Sequence, residues 1–450
     1  MSSLNKMPAI TRNPAAERMK ELMNYDELSN CIRCGFCLPA CPTYRETGLE
    51  AASPRGRLAL MKAAVDGHMP ADDELRKQLD LCLGCRACEP ACPSGVQYGG
   101  LLEQAKEAIE DRTTHPLWIE WIRKAAFKHL FVNQKRMRLL GGSIAFYQKS
   151  GLQWLTRKLG LLHILPDHMR QMEAILPPAS SSGVARELGT FIPARGKKRG
   201  TAGMFSGCIM DILFLETNKN TVMLLAEVGF DVVIPPGQNC CGALHAHSGE
   251  GEGARGLAVN NIRAFKEAQV DIIVSNAGGC GAMLKEYGHL LHHGKDGVTR
   301  EDAIWFSDRV KDVSEVLDSI APLDDLGELE GRVTYQGSCH LQNVMKVKNP
   351  PRQVIRGIRG VSYVELHESD RCCGSAGIYN VVQPVMAGGI IDEKMVHVKR
   401  TQADILVTSN PGCLLQMKHG IHKAGLDKEM RAVHLVDLVA EARGNAARSD

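Results

Sequence analysis

The chain has 450 residues, enough for two or three domains around a substantial core, and a formal net charge of only +3. So weak a charge offers no field for nucleic acid or an acidic substrate, and 5% aromatic residues leave little surface for stacking bases. Met1 to Lys6 open on no apolar signal-type segment, and no apolar run reaches the roughly eighteen residues of a membrane span. Sixteen cysteines in such a chain suit reduced thiolates in the cytosol better than a disulfide framework.

Residues 14–30 read as a polar helix leading into Cys31-Ile32-Arg33-Cys34-Gly35-Phe36-Cys37-Leu38-Pro39-Ala40-Cys41-Pro42, and residues 82–93 repeat that Cys-x-x-Cys-x-x-Cys-x-x-x-Cys-Pro pattern. Three thiolates spaced by two residues wrap three irons of one cubane, and the fourth, set apart before a proline, ligates the other cluster. The spacing therefore predicts two [4Fe–4S] clusters with exchanged fourth ligands. Cys31, Cys34, Cys37 and Cys92 would hold one, and Cys82, Cys85, Cys88 and Cys41 the other. Zinc sites more often use paired ligands separated by a longer loop. Arg33 and Arg86, inside the two runs, would bring positive charge to the clusters. Ser53-Pro54-Arg55-Gly56-Arg57 and the apolar-periodic run to Val65 predict a helix between the runs, and residues 99–112 a further amphipathic helix. Residues 14–112 thus form a mainly helical, two-cluster ferredoxin-like domain.

Residues 113–200 read as a helical connector and linker. Trp118, Trp121 and Trp154 lie there among Arg123, Lys124, Lys128, Lys135, Arg136 and Arg138. A basic amphipathic helix can rest on an anionic membrane, but the ordinary helical recurrence of the apolar positions favours inward packing with the basic faces in water. Residues 177–200 have linker composition and mark a domain boundary.

Beyond it the chain repeats itself. Cys208, Cys240-Cys241-Gly242 and Cys280 recur as Cys339, Cys372-Cys373-Gly374 and Cys413, offset by 131, 132 and 133 residues. β-branched runs precede the cysteines, and helix-length segments near 214–228 and 343–359 end at Gly229 and Gly360. Each copy, 201–321 and 332–442, reads as a parallel β-α-β-α-β-α module joined by Pro322–Gly331, with its cysteines at the carboxyl ends of strands. The fold class is α/β overall. Four thiolates per module would suit an additional iron–sulfur cluster or zinc equally well, with a vicinal disulfide as the redox alternative. His245 and His247 read as hydrogen-bonding groups. Gly251-Glu252-Gly253-Ala254-Arg255-Gly256 matches a dinucleotide fingerprint, but no strand leads into it, so it reads as a flexible loop and helix start without NAD or flavin.

These residues resemble the iron–sulfur subunit family of glycolate oxidase over nearly the whole chain. The run Cys31–Pro42 and Ser53–Arg57 are similar to that family's N-terminal half. The two Cys-Cys-Gly modules, with Asn276-Ala277-Gly278-Gly279-Cys280-Gly281 and Cys372-Cys373-Gly374-Ser375-Ala376-Gly377-Ile378-Tyr379-Asn380, are similar to its C-terminal half. Such modules occur also in heterodisulfide reductase, anaerobic glycerol-3-phosphate dehydrogenase and lactate-utilisation subunits. Heterodisulfide reductases carry a fifth cysteine per module where this chain has Ala277 and Asn410, which speaks against a noncubane double cluster. The resemblance implies an electron-transfer subunit, without catalytic residues of its own, of a flavin-dependent 2-hydroxy-acid dehydrogenase. Its partner would be an FAD-binding subunit that oxidises glycolate to glyoxylate, and its acceptor a quinone or another carrier. The implied location is the cytoplasm or, peripherally, the inner face of its membrane. A stand-alone redox carrier, or a quinone- or disulfide-reducing enzyme, are the alternatives.

Overall fold

In the computed structural model residues 13–320 and 327–449 are described, and they divide into two compact units. One comprises the chain up to Glu120 together with residues 244–251, the other residues 121–243 and 252 onward. Met1–Lys6 and the first residues of the joining segment, 322–326, lie outside the described residues.

The first unit is helical. The single helix expected over 14–30 is two, Pro14–Leu22 and Tyr25–Ser29, because the side chains of Asn13 and Asn24 accept the N–H of Ala16 and Glu27 and start a helix each. Pro54–Val65 begins where Ser53 Oγ takes the Gly56 N–H at 3.0 Å and Pro54 fills the first position. Gly56 is needed there, since a Cβ would stand 1.9 Å from the Glu50 carbonyl oxygen. Asp73–Asp80 and Tyr98–Glu110 complete the bundle, and Met19, Leu28, Met61, Leu75, Leu79 and Ala105 fill its core.

Leu117–Arg123 runs through a π-helical stretch, Lys124–Leu130, and is followed by Gln134–Lys149, Leu152–Lys158 and Asp167–Ala174. Inward packing of the apolar positions fails here. Trp118, Trp121 and Trp154 are 66%, 72% and 63% exposed, and Leu139 and Phe146 are 72% and 68%. Met137 and Gly141 take the buried face of Gln134–Lys149 instead. Residues 177–200 are more than linker: they hold the helix Val184–Leu188, with Val184 in the core, and strand β1 (Phe191–Ile192).

The two modules are parallel sheets of the same order. In the first, β2 (Gly200–Met204), β3 (Phe230–Val233), β4 (Ile272–Ser275) and β5 (Val310–Asp312) run β3-β2-β4-β5, with β1 added antiparallel at the β3 edge. In the second, β6 (Glu328–Tyr335), β7 (Arg359–Val364), β8 (Ile405–Thr408) and β9 (Arg431–His434) run β7-β6-β8-β9. The repeat therefore extends to a fourth strand, β5 and β9, that the cysteine spacing did not reveal. Val222, Val232 and Val274 of one module and Val333, Val354 and Val407 of the other belong to a single core. The helix expected over 343–359 is confined to Pro350–Arg356, because Pro350 and Pro351 open a helix but cannot sit inside one. The glycine-rich 251–256 stretch is no loop: it forms the first turns of the helix Gly251–Glu267.

Asp312 ends β5 fully buried. Its Oδ1 accepts from the N–H and hydroxyl of Ser314, while Oδ2 has no partner. Burial pushes its carboxyl up to about 7. An unfolded chain ionises this group near 4, so the folded state is penalised progressively as pH rises from about 4 to about 7, by on the order of 4 kcal/mol once above that window. Asp312→Asn is expected to remove this slope, read as a flatter dependence of melting temperature on pH across that range.

Candidate metal centres

In the first cysteine run Arg33 and Gly35 have φ of 58° and 88°; in the second Gly84 and Arg86 have 63° and 58°. Left-handed residues flanking Cys34 and Cys85 curl each loop into a concave nest whose N–H groups suit an anion. A non-glycine residue in that region costs on the order of 1 kcal/mol, which the surrounding structure must hold in place. Cys31, Cys34, Cys37 and Cys92 line one cavity, together with Cys88 from the neighbouring set. Cys88 lies near enough to Cys85, Cys82 and Cys41 for their charges to act on it, and burial, followed by those charges, pushes its thiol well up. The Gly84 N–H and the Tyr98 hydroxyl point to Cys82 Sγ at 3.4 and 3.6 Å.

The cation of this site was not evident in the sequence. Arg86 is spent on Glu89, Nε to Oε1 2.9 Å, both side chains nearly buried. Arg57 has no exposure; Nε donates to the Gln78 carbonyl at 2.7 Å, Nη2 to Thr43 Oγ1 at 3.2 Å, and Nη1 has no partner. No carboxylate pairs with it among the described residues. Burial alone would lower its pKa, but Cys82, Tyr98 and Cys41 outweigh burial and keep it charged. A guanidinium this deep requires a nearby anion, and thiolate-ligated iron–sulfur clusters are anionic. The residues present fit such clusters. Arg57 closes the Ser-Pro-Arg-Gly-Arg stretch, and only the helix it opens aims it inward.

In both modules the thiols fall just beyond the carboxyl ends of strands, as open α/β sheets place their sites. Cys208 Sγ and Cys240 Sγ are 3.5 Å apart, and Cys339 and Cys372 4.0 Å. Contacts run on from Cys241 to Cys280 and from Cys373 to Cys413. No disulfide joins any of the sixteen cysteines. The bond it donates to Cys240 and then burial push the Cys208 thiol well up, and the bond Cys339 donates to Cys372, with burial, does the same for Cys339. Such thiols ionise only with a cation among them. His247 pairs with Glu103 at 2.9 Å and His245 is buried.

The modules differ around their thiols. Asn261 of the first donates to the Cys240 carbonyl and the Tyr287 hydroxyl. The second has Lys394 near Cys373, donating to the Glu368 carbonyl, with burial pushing its ammonium down to about 8. Asn410, where a fifth cysteine would stand, donates to Cys413 Sγ at 3.5 Å and accepts the Gly279 N–H of the other module at 3.0 Å. It thus ties the second thiol set to the first module. Asn410→Ala is expected to cost about 1–3 kcal/mol by stranding the Gly279 N–H, read as a lower melting temperature together with weaker metal retention by Cys413 and its neighbours.

Comparison with known proteins agrees with this arrangement. Residues 27–96 match the 4Fe-4S dicluster domain family, residues 202–285 and 333–418 the cysteine-rich domain family, and residues 118–176 the linker region of the glycolate oxidase iron-sulfur subunit. The chain is 51% identical over 429 residues to a probable glycolate oxidase iron-sulfur subunit of Bacillus subtilis, covering 95% of this chain and 96% of that one. It is 31% identical to the glycolate oxidase iron-sulfur subunit of Escherichia coli, over 86% of this chain and 88% of that one. Lactate utilization protein A of Oceanobacillus iheyensis is 32% identical over 52% of this chain and 95% of its own length. The chain is an iron–sulfur electron-transfer subunit of an oxidoreductase complex, and it belongs to the glycolate oxidase iron–sulfur subunit family.

Proposed function

We propose that this chain carries electrons from a partner flavoprotein, where glycolate loses two electrons and two protons to become glyoxylate, to a quinone. The observation that carries the reading is the gathering of the eight N-terminal thiols into two adjoining sets, with a buried guanidinium, Arg57, close to Cys82 and Cys41. Bound clusters would supply one-electron steps there. Cys31, Cys34, Cys37 and Cys92 would hold one [4Fe–4S] cluster, and Cys82, Cys85, Cys88 and Cys41 the other. Beside a bound second cluster, Arg57 would favour its more negative, reduced state, and the N–H and O–H groups at Cys82 Sγ would act in the same direction.

Cys208, Cys240, Cys241 and Cys280, and Cys339, Cys372, Cys373 and Cys413, would hold a further iron–sulfur cluster in each module and carry the electrons on from the N-terminal pair; one sulfur pair of each set stands 3.5 and 4.0 Å apart. Zinc is the alternative on four thiolates and has no redox chemistry, so it would end the path before the modules. Anaerobically purified protein is expected to hold sixteen irons per chain; eight irons and two zincs would take the modules out of the electron path. Cys92→Ser should abolish the paramagnetic signal of the first-run cluster, and an unchanged signal would remove the exchanged ligation. Glycolate-dependent quinone reduction by the complex that persists when the cysteines of both runs are replaced would remove the electron-transfer role.

The location that best suits the surface is the inner face of the cytoplasmic membrane. Among the described residues no helix is long and apolar enough to cross a membrane. On Gln134–Lys149, Lys135, Leu139, Phe146 and Lys149 share one exposed face, apolar between two cations, and Trp154 lies under the Lys158 ammonium nearby in the chain. Co-sedimentation with anionic vesicles should weaken with salt and fall severalfold in Leu139→Ser/Phe146→Ser; equal sedimentation by that variant would dismiss this attachment.

A further inference from the structure

Beside the second thiol set lies a cavity of about 270 Å³. Its walls are Asp167–Ala174 with Ile175 and Leu176, the helices Pro384–Thr401 and Pro411–Lys423, and Asn380. It shares structure with the cysteines. Cys413 and His419 are on one helix, six residues or about 9 Å of rise apart. The Asn380 N–H donates to the carbonyl of Ser375, two residues after Cys373. The backbone of Ala387, another lining residue, runs against Gly374, where a Cβ would stand 3.1 Å from the Ala387 carbonyl oxygen.

Apolar and polar residues share the lining equally, and two of the polar ones carry an unsatisfied atom. Asn380 Oδ1 and His419 Nδ1 are buried without a hydrogen-bond partner, although Asn380 Nδ2 donates to Gln416 Oε1 at 3.1 Å. An orphaned polar atom inside a cavity is a cost that a ligand relieves. The charged groups of the lining are already engaged, Glu173 by Arg157 and Lys423 by Asp392, so a carboxylate substrate finds no free counter-charge. The occupant is therefore neutral, flat enough to lie between helices and able both to accept and to donate hydrogen bonds. About 150 Å³ takes a benzene-sized ring, so this space suits a substituted ring system with a chain leading out. The lining segments also carry exposed Met169, Ile378, Val382 and Val385, an apolar setting for such a chain. In the first module Ser248, Met283 and Glu286 stand at the positions of Asn380, Gln416 and His419, so the amide–imidazole pair belongs to the second module alone.

We infer that this cavity is the acceptor site, binding the ring of a lipid-tailed para-quinone between Asn380 and His419. The inference rests on the electron-transfer reading above and names where that transfer ends. The quinone takes two electrons, delivered singly along this chain from the hydroxy acid, and two protons from solvent, and leaves as the quinol. His419 donates its ring N–H to a carbonyl of the oxidised ring and relays a solvent proton to it on reduction, one ring nitrogen giving up its hydrogen as the other takes one from water, so that the imidazole stays neutral. Asn380 Oδ1 accepts the O–H of the product. Burial, with Lys423 and His422 nearby, lowers the His419 pKa, so the resting imidazole is neutral and either nitrogen can carry the hydrogen.

Gly388 gives a test that spares the fold. It lies in a helix and lines the cavity, and a Cβ there meets nothing within 4 Å, so Gly388→Leu fills the space without a clash at its first carbon. The full chain, with clusters assembled, is titrated with a short-tailed benzoquinone and a short-tailed naphthoquinone, and quinone reduction is followed after chemical reduction of the protein. Gly388→Leu and His419→Phe are expected to weaken quinone binding at least tenfold while the cluster signals keep wild-type intensity, and His419→Gln to retain most of the binding. Wild-type affinity in both Gly388→Leu and His419→Phe would overturn the site. A wild-type chain that reduces ferricyanide but binds neither quinone would overturn the quinone inference and leave electron transfer standing. A chain whose reduced clusters pass electrons to no acceptor would overturn the reading beneath it.

Discussion

Desolvation of sulfur is the constraint on which the rest of this structure depends. Burial holds the Cys88 thiol far above the ordinary range, and the hydrogen bonds that Cys208 and Cys339 donate to Cys240 and Cys372, followed by burial, do the same for theirs; a cation bound among them reverses that. Burial that would be a liability in an apo protein becomes a requirement for metal, since loading converts stranded thiols into ligands and couples metal binding to folding. Arg57 states the same constraint with the opposite sign. It is a guanidinium set in a helical bundle without a carboxylate among the described residues, and an anionic group held by the thiols would balance it.

The two modules show how a duplicated frame is given unequal ends. Both sheets have the order that puts the first strand of the repeat in the middle, so each set of four thiols converges at the same edge. The surroundings then diverge. A neutral amide, Asn261, sits by the first set, while the second has the buried Lys394, the bridging Asn410, and a cavity carrying Asn380 and His419. A path for electrons needs a direction, and unequal surroundings of like centres supply one.

The connector violates the usual economy of a surface. Trp121, Trp154, Leu139 and Phe146 remain largely in water, and exposed apolar area of that extent marks a face meant to be covered. Their helical spacing is ordinary, so periodicity alone pointed inward. Gln134–Lys149 buries a different and smaller face, through Met137 and Gly141, and the large residues are left outside.

Much was determined by the sequence by itself. Cysteine spacing is local chemistry, so the two runs at 31–41 and 82–92 and the repeated Cys-Cys-Gly pattern declare metal binding and a duplicated α/β frame before any folding. Capping residues such as Ser53 and helix breakers such as Pro350 act within a turn, and they set element ends wherever the chain places them. Only the tertiary structure decided which charge faces the clusters, because Arg33, Arg55, Arg57 and Arg86 are alike in sequence and differ in what packs around them. Likewise the fourth strands β5 and β9, the tie from Asn410 to Gly279 and the cavity between Asn380 and His419 join residues far apart in the chain. Burial and long-range contact create those features, and neither leaves a period or a spacing to read.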